Sequence, residues 1–306
     1  MEFSPKIQSI LSLSSSDFGK VVTTSISNTR TLTCSRTPSK DCHIESVEVI
    51  DLKVSNVHIP LYTGLTFLPG DKVMLADSVN NQCILLNSSY QLITSHTLTG
   101  YSFNICVLDD QEVAVLHGQN NIQILSVTDD VIRPVRMIKT KYKCNGIAAA
   151  EKGEMVVNGN CGNKNNQWSL INTRGDVKCT HQYDSSAYYL NYVALNNKKT
   201  RVYVSVFSRK SLLCFDLDGR KQFTYSPDNL KGPRGVAVDR FDNIFVLGFL
   251  SGNIHQLSPD GSVIQVVNTG VPKNPWAICI HQNKDILITT NESDRTKLHI
   301  YRLKYN

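Results

Sequence analysis

Apolar residues in this chain come in short bursts. Runs of five or six residues rich in valine, isoleucine and leucine alternate with polar turns, and no stretch keeps the 3.6-residue rhythm of a helix. The runs recur in a fixed order. A first set reads TGLTFL (63–68), FNICVL (103–108), NGIAAA (145–150), NYVALN (191–196), RGVAVD (234–239) and PWAICI (275–280). Their second residues are spaced by 40, 42, 46, 43 and 41 residues. A period of roughly 40–45 residues is that of a four-stranded propeller blade.

Each unit continues in the same way. A polar turn leads to a second run: KVMLAD (72–77), EVAVLH (112–117), EMVVNG (154–159), RVYVSV (201–206), NIFVLG (243–248) and DILITT (285–290). A third follows after a polar loop, as in QCILLN (82–87) and SLLCFD (211–216). The turns LNSSYQ, INTRGD, FDLDGR and LSPDGS then place Asn, Asp, Ser or Gly where a tight hairpin needs left-handed or side-chain-bonded residues. A fourth run such as SVIQVV (262–267) completes the unit.

The sixth unit reaches Asn306 after three strands, while SVEVIDLKVSN (46–56), upstream of the first, reads as a strand with a bulge near 49–50. Supplying the missing strand from the other end of the chain would close the ring and remove two exposed sheet edges. The pattern therefore predicts an all-β, six-bladed propeller of four-stranded antiparallel blades over residues 46–306. Residues 1–45, with the Ser/Thr-rich stretch 23–45, read as a linker or head segment.

Composition adds limits. Hydrophobic content of 41% with 19% charged residues is ordinary for a globular chain. No run approaches the ~20 apolar residues of a membrane span, and the first twenty residues lack a secretory pattern, so the expected location is cytoplasmic. Nine cysteines without metal-type spacing read as inert thiols, and the sequons at Asn87 and Asn291 as chance matches. The net charge is +6, and VIRPVRMIKTKYK (131–143) holds five cations and no acid. That stretch could attract an anionic partner or form an edge strand guarded by lysine.

The unit GPRGVAVDRFDNIFVLGFLSGNIHQLSPDGSVIQVV resembles an NHL repeat, whose pattern is G-x-A-V-D-x-x-G-N-I-Y-V-A-D followed by an Asn-rich loop, a strand and D-x-D-G. The fifth unit (230–267) matches closely, with Asp242 at the usual glycine. The first, fourth and sixth match moderately, and the second and third mainly by register. The resemblance covers residues 46–306. The family is best known as the C-terminal module of tripartite-motif proteins, many of them ubiquitin ligases, and FSPKIQSILSLSSSDFGKV (3–21) is similar to the linker that follows the coiled coil there. No RING, B-box or coiled coil accompanies it. The resemblance implies a binding module, and some family members bind RNA.

Propeller register gathers the loops before each first strand, and those between the second and third, on one face. That face is expected to carry Tyr62, Tyr101, Lys143, Asn145, Tyr189, Asn191, Arg234, Lys273, Asn274 and Trp276, joined by Arg209 and Lys210. Tyr, Trp and Arg dominate interface hot spots, and aromatics with Lys or Arg also suit single-stranded RNA. The reading is a non-catalytic scaffold for a protein partner, possible links to ubiquitin ligase pathways included, with RNA the alternative and neither cofactor nor metal. A propeller hydrolase or lyase is the third reading. Metal-dependent lactonases and amidating lyases of this shape gather Glu, Asp, Asn or His ligands at the channel mouth, and no carboxylate is expected among the residues above.

Overall fold

The computed structural model describes residues 42–52, 54, 58–118, 120–160, 165–184, 191–268 and 270–305. Among the described residues, twenty-four strands, β1 to β24, form six four-stranded sheets. Five sheets are meanders of consecutive strands, and the sixth has the order β1-β24-β23-β22. The innermost strands are β2 (Tyr62–Leu68), β6 (Ser102–Val107), β10 (Lys143–Ala149), β14 (Val193–Leu195), β18 (Pro233–Val238) and β22 (Pro275–His281). The six-bladed propeller expected from the repeat is what the chain forms.

Closure also follows the expectation, with a shifted register. Strand β1 spans Cys42–Asp51 and pairs antiparallel with β24 (Lys297–Tyr305). It starts and ends several residues before the segment marked by apolar alternation. Its bulge lies between Ser46 and Glu48 rather than near 49–50. Ile44 is buried in the core between the last two blades beside Tyr301 and Leu303, while Val49 is 49% exposed. Ile50, Leu52 and Val54 do pack into the core that joins the last blade to the first, as their alternation suggested, and the buried positions extend toward the N-terminus through Ile44 and Cys42. Among the other edges, the basic stretch forms β9 (Val131–Lys139), an outer strand whose residues are mostly exposed. Its cations act as an edge guard, and Arg136 donates to the Thr173 carbonyl at 3.1 Å.

The core is a set of slabs between neighbouring blades. Met74, Cys83 and Leu85 meet Ile105, Val113 and Leu125 between the first two blades, and Trp168 meets Phe215 and Val204 between the third and fourth. Buried Cys106, Cys144 and Cys214 are free thiols whose pKa burial pushes up to about 12, which keeps them protonated and inert. Asn291 is buried, so its sequon is inaccessible.

Turn chemistry explains the repeat's polar letters. Asp239 Oδ1 accepts from the backbone N–H groups of Phe241 and Asn243, both at 2.8 Å, which folds the first hairpin of the fifth blade. Asp242, at the family's glycine, has φ +65 and also accepts from Asn197 N–H at 2.7 Å on the preceding blade. The side-chain bond offsets the strain of a non-glycine residue there. In the outer hairpins Asn87, Asn172 and Asp216 accept the turn N–H groups through their side-chain oxygens.

Closure energetics can be measured on β1. Ile44→Ala should lower the unfolding free energy in urea by about 2–4 kcal/mol, whereas Val49→Ala should change it by less than about 0.5 kcal/mol. A second expectation concerns acid. His255 is buried with Nδ1 2.7 Å from Tyr225 Oη, and burial draws its pKa from the ordinary 6.5 to about 4. The unfolded chain then binds a proton that the native chain refuses, so stability is full above pH 6.5 and is lost as pH falls toward 4. His117 and His299 are lowered by burial in the same direction. Urea midpoints measured across this window should fall, and His255→Gln should flatten the slope by about one proton.

Candidate functional site

Where the loops lead into the channel, the innermost strands break register. The breaks fall between Tyr62 and Gly64, Ser102 and Asn104, Cys144 and Gly146, Pro233 and Val236, and Pro275 and Ile278. Bulges of this kind re-aim side chains. They extrude Thr63, Phe103, Asn145, Arg234 and Trp276, and Asn191 holds the matching place in the repeat just before β14. One residue per blade therefore stands at the same level of the mouth.

Glycine recurs beside this level because neighbouring strands nearly touch. A Cβ on Gly64 would lie 2.8 Å from Asn104 Cα, and one on Gly146 would lie 2.4 Å from Asn158 Oδ1. The fourth blade has Tyr192 in that slot. Its side chain crosses the channel instead, and its hydroxyl donates to the Thr63 carbonyl of the opposite blade at 2.6 Å. Tyr192 is buried and divides the channel into upper and lower halves.

Above this crosspiece lies Arg234. Its guanidinium carbon is 3.5 Å from the Trp276 ring centroid, 4.1 Å from that of Phe249 and 5.3 Å from that of Phe207. Nε and Nη1 are buried without a hydrogen-bond partner, and among the described residues Arg234 makes no ion pair. Burial draws its pKa down, opposed by the nearby Tyr192 and Glu292. The aromatic faces compensate part of the charge, but they leave its N–H donors unused. In the third blade, Asn145 Oδ1 and the Asn158 amide are buried. Asn191 is used structurally, donating to Tyr183 Oη at 3.2 Å and accepting from Phe207 N–H at 3.3 Å.

The residues expected on this face separate into two groups. Tyr62, Asn145, Asn191 and Trp276 are buried, with Tyr62 and Trp276 packed in the core that joins the last blade to the first. They are therefore not available as exposed partner anchors. Tyr101, Lys143, Arg209, Lys210 and Lys273 are exposed around the rim, and Asn274 is half-buried, donating to the Phe249 carbonyl at 3.4 Å. Tyr189 lies outside the described residues. Sequence reasoning missed Tyr192, Phe103, Phe207 and Phe249. Aligning the repeat's glycine slots would have exposed Tyr192, since a large residue there must leave the blade.

The chain belongs to the family described as the SMP-30/gluconolactonase/LRE-like region, whose model matches residues 64–292. No curated protein matches it by sequence. Among solved structures it is similar to a luciferin-regenerating enzyme, with TM-score 0.63, 16% identity and coverage of 86% of this chain and 95% of that one. It is also similar to a catalytically inactive variant of virginiamycin B lyase from Staphylococcus aureus with quinupristin, with TM-score 0.60, 15% identity and coverage of 85% and 89%. A third likeness is the Cps50 (Swd1) propeller domain from Myceliophteria thermophila, with TM-score 0.60, 10% identity and coverage of 78% and 83%. At these identities the likenesses show the fold.

Two expectations change. The family shown is the gluconolactonase-like one, and the NHL reading stands only as the coarser kinship of six-bladed propellers. The expectation that the chain is no enzyme is overturned, because the family takes its description from enzymes.

A divalent metal does not fit this mouth. The six positions at this level carry a hydroxyl already donated to the Ser102 carbonyl, two amides, two aromatics and a guanidinium, with no carboxylate or imidazole. Among the described residues no group of three His, Cys, Asp or Glu could hold an ion. Asp77, at the end of the second strand of the first blade, is spent on Leu61 N–H, Val79 N–H and the Asn80 amide. A fixed guanidinium would repel a cation further.

Arg234→Met keeps the aromatic packing and removes an uncompensated buried charge. Thermal unfolding should show stability unchanged or raised. Tyr192→Phe leaves the Thr63 carbonyl unpaired and should cost about 1–3 kcal/mol.

Proposed function

We propose that this protein is an enzyme of the hydrolase or lyase kind that works at the upper channel mouth without a divalent cation. Arg234 supplies the positive charge there. The observation that carries the reading is the buried guanidinium with two unpaired N–H-bearing nitrogens at the level where five of the six innermost strands break register.

The chemistry follows from charge placement. Opening a lactone or ester, or eliminating beside a carbonyl, builds negative charge on one oxygen. A preorganised, desolvated guanidinium stabilises such an oxygen, and removing one such donor typically costs about 10²–10³-fold in rate. Family membership and the enzymes among the structural likenesses support this reading over a passive scaffold.

The exposed cations at the rim would draw anionic substrates toward the mouth. They also support the alternative of a protein or single-stranded RNA docking on the same face, which would show binding lost steeply with salt but indifferent to Arg234→Met.

A panel of sugar lactones and simple esters, assayed with excess chelator, tests the proposal. Wild-type turnover should survive chelation, fall at least about 100-fold in Arg234→Met and recover partly in Arg234→Lys. Turnover that requires added divalent ions, or that persists in Arg234→Met, would overturn it.

A further inference from the structure

Below the Tyr192 crosspiece the channel opens at the opposite mouth into a cavity of about 680 Å³. This volume suits a small organic ligand. Five innermost strands wall it, with Ile105, Ile147, Val193 and Leu195 among the apolar residues that line it. Lys199 also lines it, from the first hairpin of the fourth blade.

The charges of this cavity are unevenly used. Asp71 pairs with Lys284 Nζ at 2.5 Å and lies 2.9 Å from His281 Nε2. Asp110 is exposed at the rim. Lys199 is half-buried and makes no ion pair or side-chain hydrogen bond among the described residues. Burial draws its pKa down, and the neighbouring Asp242 and Glu151 push it back only in part. Its backbone is held at φ +54 by a turn in which Lys199 N–H donates to the Asn196 carbonyl at 2.9 Å. Asn196 Oδ1 anchors the same turn by accepting from Thr200 and Arg201 N–H, both at 2.8 Å. The amine is thus carried by a fixed turn on a wall that mixes aliphatic side chains with polar ones such as Thr66, Gln282 and Asn283, and no described residue pairs with its charge.

We propose that this lower cavity is a second ligand site, separate from the upper mouth, which takes a small organic carboxylate. The carboxylate pairs with the Lys199 amine, and the apolar body lies along Ile105, Ile147 and Val193. A desolvated ammonium gains most from an anion that brings its own apolar surface, because the pair then remains shielded from water. A bare inorganic anion would leave the wall wet, and a cationic ligand would meet Lys199 directly.

Calorimetric titration with hexanoate tests this, with hexylamine and chloride as controls, on the wild type and on Lys199→Met, Lys199→Gly and Arg234→Met. The glycine variant removes the amine while easing the left-handed turn, so a folded protein without the charge is secured. Hexanoate should bind the wild type with one-to-one stoichiometry and more tightly than either control. Both Lys199 variants should weaken it at least about 10-fold while their melting temperatures stay near that of the wild type. Arg234→Met should leave it unchanged, which separates this site from the upper one. An amine-reactive acylating reagent should label Lys199, and hexanoate should slow that labelling. Absence of hexanoate binding to the wild type, equal binding by the Lys199 variants, or loss in Arg234→Met would overturn the proposal.

Discussion

The distance between neighbouring innermost strands governs this molecule. Packing six sheets around a narrow axis brings their first residues so close that a β-carbon on Gly64, Gly146 or Gly235 would collide with the next blade. Chain at that level bulges and sets a glycine beside the bulge, as at Gly64, Gly146 and Gly235. The bulges follow from this crowding, and through them Thr63, Asn145, Arg234 and Trp276 arrive at one level. The same constraint that fixes the fold therefore builds the site.

Tyr192 shows what happens when the slot holds a large residue. It cannot lie against the neighbouring strand, so it spans the axis and bonds the opposite blade. The channel becomes two compartments of different chemistry. The upper sets a guanidinium against aromatic rings, and the lower mixes aliphatic and polar side chains with the Lys199 amine on its wall. Ligands at the two mouths would not compete for space.

The architecture was legible because propeller blades repeat a grammar of run lengths and turns that needs no knowledge of packing. Each short apolar run marks a strand, and residues such as Asp239, Asn172 and Asp216 mark turns whose N–H groups they accept. The position of β1 was less legible. Its burial depends on which face meets Tyr301 and Leu303, and that is set by a bulge between Ser46 and Glu48 that alternation alone misplaced. The site was legible by register but not by exposure. Tyr62 and Trp276 stand at the expected level, yet they are drawn into the core of the closing seam. Functional class was misread for a chemical reason: missing carboxylates argue against a metal, but not against catalysis by a fixed guanidinium.

The seam between β1 and β24 sets how the protein can be made. Residues 42–51 must wait for residues 297–305, so nearly the whole chain has to leave the ribosome before the ring can shut. Until then the last blade has an uncovered flank, and the growing chain is an open arc with an adhesive strand edge at each end. Blades can form one after another as they emerge, through local meanders, but the decisive pairing is among the most distant in sequence that the chain makes. Slow final closure is the cost of a ring without loose ends.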